Sequence, residues 1–371
     1  MRQLVFLFAL LICCSASALA GSAILEFPVP GVSAQQPQMA VALDGTLYLV
    51  YGAGNTIYCA ASLDGGKQFS PATVIEVPGF LALGRHRGPR VAATQTGVVV
   101  TAIVGKQGRG KDGNLLAWRS VDFGKKWSQP AVINDVAESA REGLHGTAGG
   151  PNGILFAVWL DLRSTSDQDQ GTKLYGAVSH DGGKSWQKNQ IVYSSPDGTI
   201  CQCCHPSVTI DGTGAFHVMW RNALWDSRDL YHIVSRDSGK SFEAAERFGQ
   251  GTWSLNSCPM DGGDLIVGSN SRVAAVWRRE DKVYVSGLND AETLVGTGRN
   301  PVIAQGTTGN YIAWEDTATK TGVLLAPGTS RPLPLGQKSQ YIDLAQFNGR
   351  IAAAWEETRG EHQVVRLQVL E

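Results

Sequence analysis

From Leu25 to the end of the chain, short apolar runs alternate with Gly- and Asp-rich turns, and the runs carry the period-two pattern of half-buried strands. A glycine followed six residues later by an aromatic residue recurs where such runs close: Gly45/Tyr51, Gly153/Trp159, Gly214/Trp220 and Gly349/Trp355. Looser copies are Gly97/Ile103, Ser271/Trp277 and Gly309/Trp314, the last with a spacing of five, which makes seven units. Each is preceded by a short strand that often opens with proline, as at Pro37, Pro89, Pro206, Pro259 and Pro301. One unit reads as four antiparallel strands over 206–210, 215–220, 230–235 and 242–248, the size of a propeller blade. The last unit supplies three strands, and "AILEFPV" near the start is expected to add the outer one and close the ring. The pattern predicts an all-β, seven-bladed β-propeller. A six-bladed one, with the second or fifth unit as an insertion, is the alternative.

A second repeat, Ser-x-Asp-x-Gly-x-x-aromatic, stands between strand-like runs as "SLDGGKQF" from Ser62, "SVDFGKKW" from Ser120, "SHDGGKSW" from Ser179 and "SRDSGKSF" from Ser235. An Asp carboxylate accepts backbone N–H bonds across a turn, Gly supplies positive φ, and the ring packs underneath. These turns resemble the Asp-box, or BNR, repeats of the sialidase superfamily. The resemblance implies that Asp64, Asp122, Asp181 and Asp237 are structural and lie on the face away from the active site.

Strands alternate direction, so the loops before each first strand and after each second strand share the opposite face. The former carry His86, Arg87, Arg90, His145, the stretch Cys201 to His205, and Cys258; the latter carry Asp161, Arg163, Arg221, Asn222, Arg278, Glu280, Glu315 and Glu356. Charged groups around one end of a propeller axis are where a ligand would bind, with Arg90, Asn222, Glu315 and Glu356 as ligand-binding candidates. The bland alternative is that they are solvated loop residues.

Sialidases hold a substrate carboxylate with three arginines and use a Tyr/Glu nucleophile pair with an Asp acid/base. The resemblance points to Arg87, Arg221 and Arg278 for the carboxylate and Asp161 as acid, if the chain is a hydrolase. The family's early Arg-Ile-Pro is absent, with "HRGPRVA" the nearest substitute, and Tyr341 starts an inner strand with no motif around it.

Five of the seven cysteines lie beyond residue 20. Cys59, within a strand, reads as a buried free thiol. Cys201, Cys203 and Cys204 precede one blade and Cys258 the next, so they should meet at the axial mouth. "CQCCHPS" and "CPMDGG" resemble motifs of exported bacterial Asp-box proteins, although His205 stands where proline is expected. Three readings stay open. One is disulfides, the default in an oxidising compartment. Another is a copper or zinc site of Cys201, Cys203, Cys204 and Cys258 with His205 or His145 as nitrogen donor. The third is thiol chemistry by an exposed cysteine near Arg87 and His205.

The start of the chain sets the compartment. Arg2, an apolar run from Leu4 to Ile12 and Ala18-Leu19-Ala20 read as a signal peptide over 1–20, which predicts a single-domain mature protein over 21–371 in the periplasm or secreted. Cys13 and Cys14 lack the small preceding residue that lipid attachment requires. Removing Arg2 takes the formal charge from -1 to -2, which offers no field for nucleic acid and no basic patch for a membrane. No later run is long enough to span a bilayer. A monomer with a small-molecule or glycan ligand is expected. The sequence points to an axial face that binds a metal ion or small anion, with a sialidase-type hydrolase and a non-catalytic interaction propeller as alternatives.

Overall fold

A computed structural model describes residues 22–108, 110–163, 171–268 and 271–370, and the expected leader peptide lies outside them. Among the described residues the chain is built of strands and turns, with three single-turn 3-10 segments, and no helix is long and apolar enough to cross a membrane. The strands form six antiparallel sheets. Three of them follow one four-strand meander plan. Ala34–Val41, Leu47–Ala53, Thr56–Ser62 and Thr73–Glu76 make the first; His145–Gly149, Leu155–Asp161, Lys173–Ser179 and Gln190–Tyr193 make another. Between them lies a sheet in which Phe80–Leu81 and Arg90–Thr94 both pair with Gly97–Gly105.

The unit read over 206–248 forms Ser207–Ile210, Phe216–Arg221, Leu230–Ser235 and Glu246–Phe248. Its fourth strand starts later than the sequence suggests because Phe242 is drawn into the core, 6.2 Å from the Phe156 ring. A seven-stranded sheet follows, from Asp264–Val267 to Leu333–Leu335, in which Thr293–Gln305 pairs with Lys282–Gly287 over its first residues and with Asn310–Asp316 over its last. In the last sheet Leu25–Phe27 pairs antiparallel with His362–Leu370, Leu25 opposite Leu367.

The aromatic residue of the first repeat anchors each second strand: Trp159, Trp220, Trp314 and Trp355 are at most 1% exposed. Burying a large apolar side chain is worth roughly 2–3 kcal/mol; the cores of Trp159, Trp220 and Trp355 lie between adjacent sheets and bind sheet to sheet, while that of Trp314 joins the two ends of the seven-stranded sheet. The first strands stand side by side about one axis. Ala34–Val41 touches Arg90–Thr94, then come His145–Gly149, Ser207–Ile210, Asp264–Val267, Thr293–Gln305 and Ser339–Phe347, which touches Ala34–Val41 again.

The Ser-x-Asp-x-Gly turns share one geometry. Ser62 Oγ donates to Asp64 Oδ1 at 2.9 Å and accepts the Gly66 N–H at 2.9 Å, while Asp64 Oδ1 also accepts the N–H of Lys67 and Gln68. Ser120/Asp122, Ser179/Asp181 and Ser235/Asp237 repeat it. The glycine is required for space as well as for φ. A Cβ on Gly66 would stand 2.6 Å from Val369 of the last sheet, and one on Gly183 would stand 2.7 Å from Val99 of the preceding sheet. Each box therefore docks its own sheet onto its neighbour.

Candidate functional site

Three of the first strands carry an irregularity at the same place. Pairing skips between Gln35 and Gln38, between Arg299 and Val302, and between Gln340 and Asp343. The residues thrown out of register, Gln36, Asn300 and Tyr341, have φ of 56°, 52° and 48°. His86 and Met260, ahead of two other first strands, also have positive φ. Left-handed backbone costs a residue with a Cβ about 1 kcal/mol or more, and such strain gathers at functional sites. All five surround the axis at one end.

Two spaces lie there, with Tyr341 on the wall of both. An inner cavity of about 140 Å³ is lined by Gln36, His86, Arg90, His205, Asp264 and Asp343. An outer basin of about 290 Å³ is lined by Arg85, Arg278, Arg299, Asn300, Met260 and Tyr341. His86 and His205 stack with ring centroids 4.2 Å apart, and Tyr341 meets His86 edge-on at 5.1 Å. His86 Nε2 bonds Asn300 Oδ1 at 2.8 Å, and His205 Nε2 bonds the Gly263 carbonyl at 3.1 Å while its Nδ1 is buried without a partner. Burial holds both imidazoles below their ordinary value, so they stay neutral. The same burial lowers Arg90 to about 10 and pushes Asp343 up to about 8.

The acids after the second-strand aromatics are occupied by hydrogen bonds to neighbouring backbone and side chains. Glu315 Oε1 accepts the N–H of Tyr341 at 2.8 Å and Asn300 Nδ2 at 2.7 Å, and its Oε2 accepts Arg299 Nε. Glu356 Oε1 accepts the Gln36 N–H at 2.7 Å, and burial pushes this carboxyl up to about 8. Asp161 is 1% exposed; its oxygens accept Trp159 Nε1, Ser139 Oγ and the Arg163 guanidinium, which places it as an anchor rather than an acid facing a ligand. Asn222 is 1% exposed and donates to the Tyr193 hydroxyl.

The arginines divide. Arg221 is 2% exposed and donates to the carbonyls of Asp261, Arg228 and Arg278, which leaves it no face for a carboxylate. Arg87 is tied to the carbonyl and carboxylate of Glu142. Arg90 lines the inner cavity but donates to the carbonyls of His86 and Pro89. Of the three arginines expected to act together, the structure brings Arg278 alone to the basin, where its guanidinium lies 5.3 Å from the Trp253 ring. Arg85 and Arg299, not singled out from sequence, join it. A proline inside a strand, where the pairing skips, is the signal that would have found Asn300 and Gln36, each directly before one.

Beside the mouth, Cys203 and Cys258 form a disulfide. Cys201 and Cys204 are free and buried, with their sulfurs 3.1 Å apart and sharing a hydrogen bond; Cys201 Sγ is also 3.7 Å from Cys203 Sγ. The bond to Cys204, with Arg221 and Arg228 nearby, draws Cys201 down to about 7 against its burial, while burial pushes Cys204 up. The sulfurs of Cys201, Cys203 and Cys204 lie within 4.8 Å of one another, and neither His205 nor His145 joins that group. His145 sits at 0% exposure against Thr101. Cys59 is buried and unpaired, under Gly124 of the next Asp box.

The family described as BNR repeat-like domain matches residues 88–290. No curated protein matches the chain. Among solved structures, a protein of unknown function from Dyadobacter fermentans is 14% identical with a TM-score of 0.54, over 95% of this chain and 99% of that one. An α-L-arabinanase from Penicillium chrysogenum is 14% identical with a TM-score of 0.56, over 95% and 98%. A Hadza microbial sialidase is 13% identical with a TM-score of 0.53, over 91% of this chain and 65% of that one. At such identities the likeness establishes the fold, a sialidase-like β-propeller.

Proposed function

The chain belongs to the family of BNR repeat-like domains, and from that premise we propose that it is an exported propeller of seven blades whose axial mouth binds a small anionic ligand. The seven-stranded sheet is counted as two blades sharing Thr293–Gln305, and Leu25–Phe27 completes the last blade. The observation that carries the ligand reading is the basin of about 290 Å³ with Arg85, Arg278 and Arg299 on its wall. Guanidinium groups match carboxylate and phosphate geometry, and at a concave, partly dehydrated surface their attraction for an anion is strengthened. The fold neighbours titled arabinanase and sialidase support a sugar acid as the first class to test.

The test is calorimetric titration of the mature protein with N-acetylneuraminate, glucuronate and sulfate, against a neutral hexose. An acid should bind, more weakly as salt rises, and Arg278→Ala and Arg299→Ala should each cost about tenfold in affinity. Equal binding of the neutral sugar, or affinity untouched by both variants, overturns the reading.

A second reading, a hydrolase of sialidase type, is favoured by the placement of Tyr341 on the basin wall with its N–H held by Glu315. It predicts turnover of an aryl sialoside that is lost in Tyr341→Phe while binding persists. A copper or zinc site would need the reduced cysteines, since the disulfide takes two of the four sulfurs. Metal content after mild reduction tests that reading.

A further inference from the structure

The four cysteines at the mouth are sorted by depth. Cys258 is exposed and Cys203 half-buried, while Cys201 and Cys204 are 4% and 1% exposed. A thiol in solution can reach the bridge but not the buried pair. Cys201 can reach both: its sulfur is 3.7 Å from Cys203 and 3.1 Å from Cys204. The four sulfurs thus form a chain, Cys258 bonded to Cys203, Cys203 near Cys201, and Cys201 against Cys204. Exchange proceeds by attack of a thiolate on one sulfur of a disulfide, and access is the usual barrier. Here contact already exists.

We propose that this cluster is an intramolecular thiol–disulfide relay, which passes the bridge from the exposed pair Cys203–Cys258 to the buried pair Cys201–Cys204. In the first step the Cys201 thiolate attacks Cys203 Sγ. The Cys201–Cys203 bond forms, the Cys203–Cys258 bond breaks, and its electron pair leaves on Cys258, which takes a proton from water. In the second step the Cys204 sulfur, having lost its proton to water, attacks Cys201; the Cys201–Cys204 bond forms and Cys203 leaves as thiolate. One disulfide and two thiols are present before and after, so no oxidant or reductant enters. The outcome is a dithiol displayed at the rim, one residue from Pro259 and two from Met260, which line the arginine basin. The inference is independent of what that basin binds.

The test uses the mature protein as isolated, folded at pH 8 without reductant, with iodoacetamide present throughout, followed by non-reducing digestion and mass spectrometry. The relay predicts that Cys258 becomes carbamidomethylated while peptides bridged through Cys201 appear. Cys201→Ser should lower Cys258 labelling by about tenfold or more, whereas Cys204→Ser should keep it and stop at the Cys201–Cys203 bridge. Circular dichroism checks that each variant is folded. The wild-type result stands without the variants: if Cys258 stays unlabelled over hours and Cys203–Cys258 is the one bridge found, the relay is overturned. It is equally overturned if folded Cys201→Ser labels Cys258 as fast as wild type.

Discussion

Glu356 Oε1 accepts the backbone N–H of Gln36 at 2.7 Å and the Gln36 side-chain amide at 3.0 Å, joining residues 320 positions apart. The contact is buried, Glu356 being 0% and Gln36 4% exposed, so removing the acceptor strands a donor away from water. Glu356→Ala should lower the unfolding free energy by about 2–3 kcal/mol. Because the carboxyl is pushed up to about 8, it is protonated at neutral pH, and Glu356→Gln should keep most of that stability. Urea denaturation of the two variants at pH 7 separates them. Equal losses would show that charge rather than hydrogen bonding matters here.

The Asp box offers a matched pair of adjacent glycines. Gly65 has φ of 78° with nothing within 4 Å of an added Cβ, whereas Gly66, at 81°, would place one 2.6 Å from Val369 and 3.3 Å from Phe347. Gly65→Ala should cost about 1 kcal/mol of backbone strain alone. Gly66→Ala should cost that plus about 1–3 kcal/mol of overpacking. Denaturation midpoints check the difference, and no difference would mean the sheets part easily at this seam.

Asp343 gives a pH signature. Its carboxyl ordinarily ionises near 3.8 but is held neutral up to about 8, chiefly by burial among Asp264, Arg90, His86 and His205. The folded state therefore binds a proton that the unfolded state has released, so this group's contribution is fully present below about pH 4 and is lost as pH rises through about 8. Asp343→Asn should gain stability relative to wild type between pH 5 and 9, by more than about 1 kcal/mol across that window. Thermal melts of both proteins over that range measure it. A pH-independent difference would place the proton elsewhere.

Arg221 is tied to three backbone carbonyls, and a lysine has no fork to reach all three. Arg221→Lys should destabilise by about 2–4 kcal/mol. Any loss of anion binding should track the loss of folded protein. Binding that falls while the denaturation midpoint stays put would return Arg221 to the ligand-binding set.

The Asp boxes were legible in sequence because their chemistry is local: Ser62, Asp64 and Gly66 bond within five residues. The strand-two aromatics were legible for the same reason, through their fixed distance from a turn glycine. The axial basin was not. Arg85 lies in a turn, while Arg278 and Arg299 stand within the strands Val273–Arg279 and Thr293–Gln305, and no spacing rule joins them. Asp161 and Glu315, expected in loops after their second strands, stand within those strands, and a sequence does not say that a carboxylate turns to hold a neighbouring donor rather than face solvent. Tyr341 stands at a skipped register, which no motif announces. The cysteine cluster was recognised as a unit, and which sulfurs bond was a matter of side-chain direction.

Thr293–Gln305 serves two partners along thirteen residues. Elsewhere neighbouring sheets meet through side chains and can separate without breaking a ladder, but here one backbone is common property. Fraying at either edge of that strand is transmitted to both of its neighbours, so the region from Asp264 to Leu335 should protect its amides, and lose that protection, as one cooperative block. The other five sheets are fastened to one another by discrete clips, and this one is held by an unbroken beam.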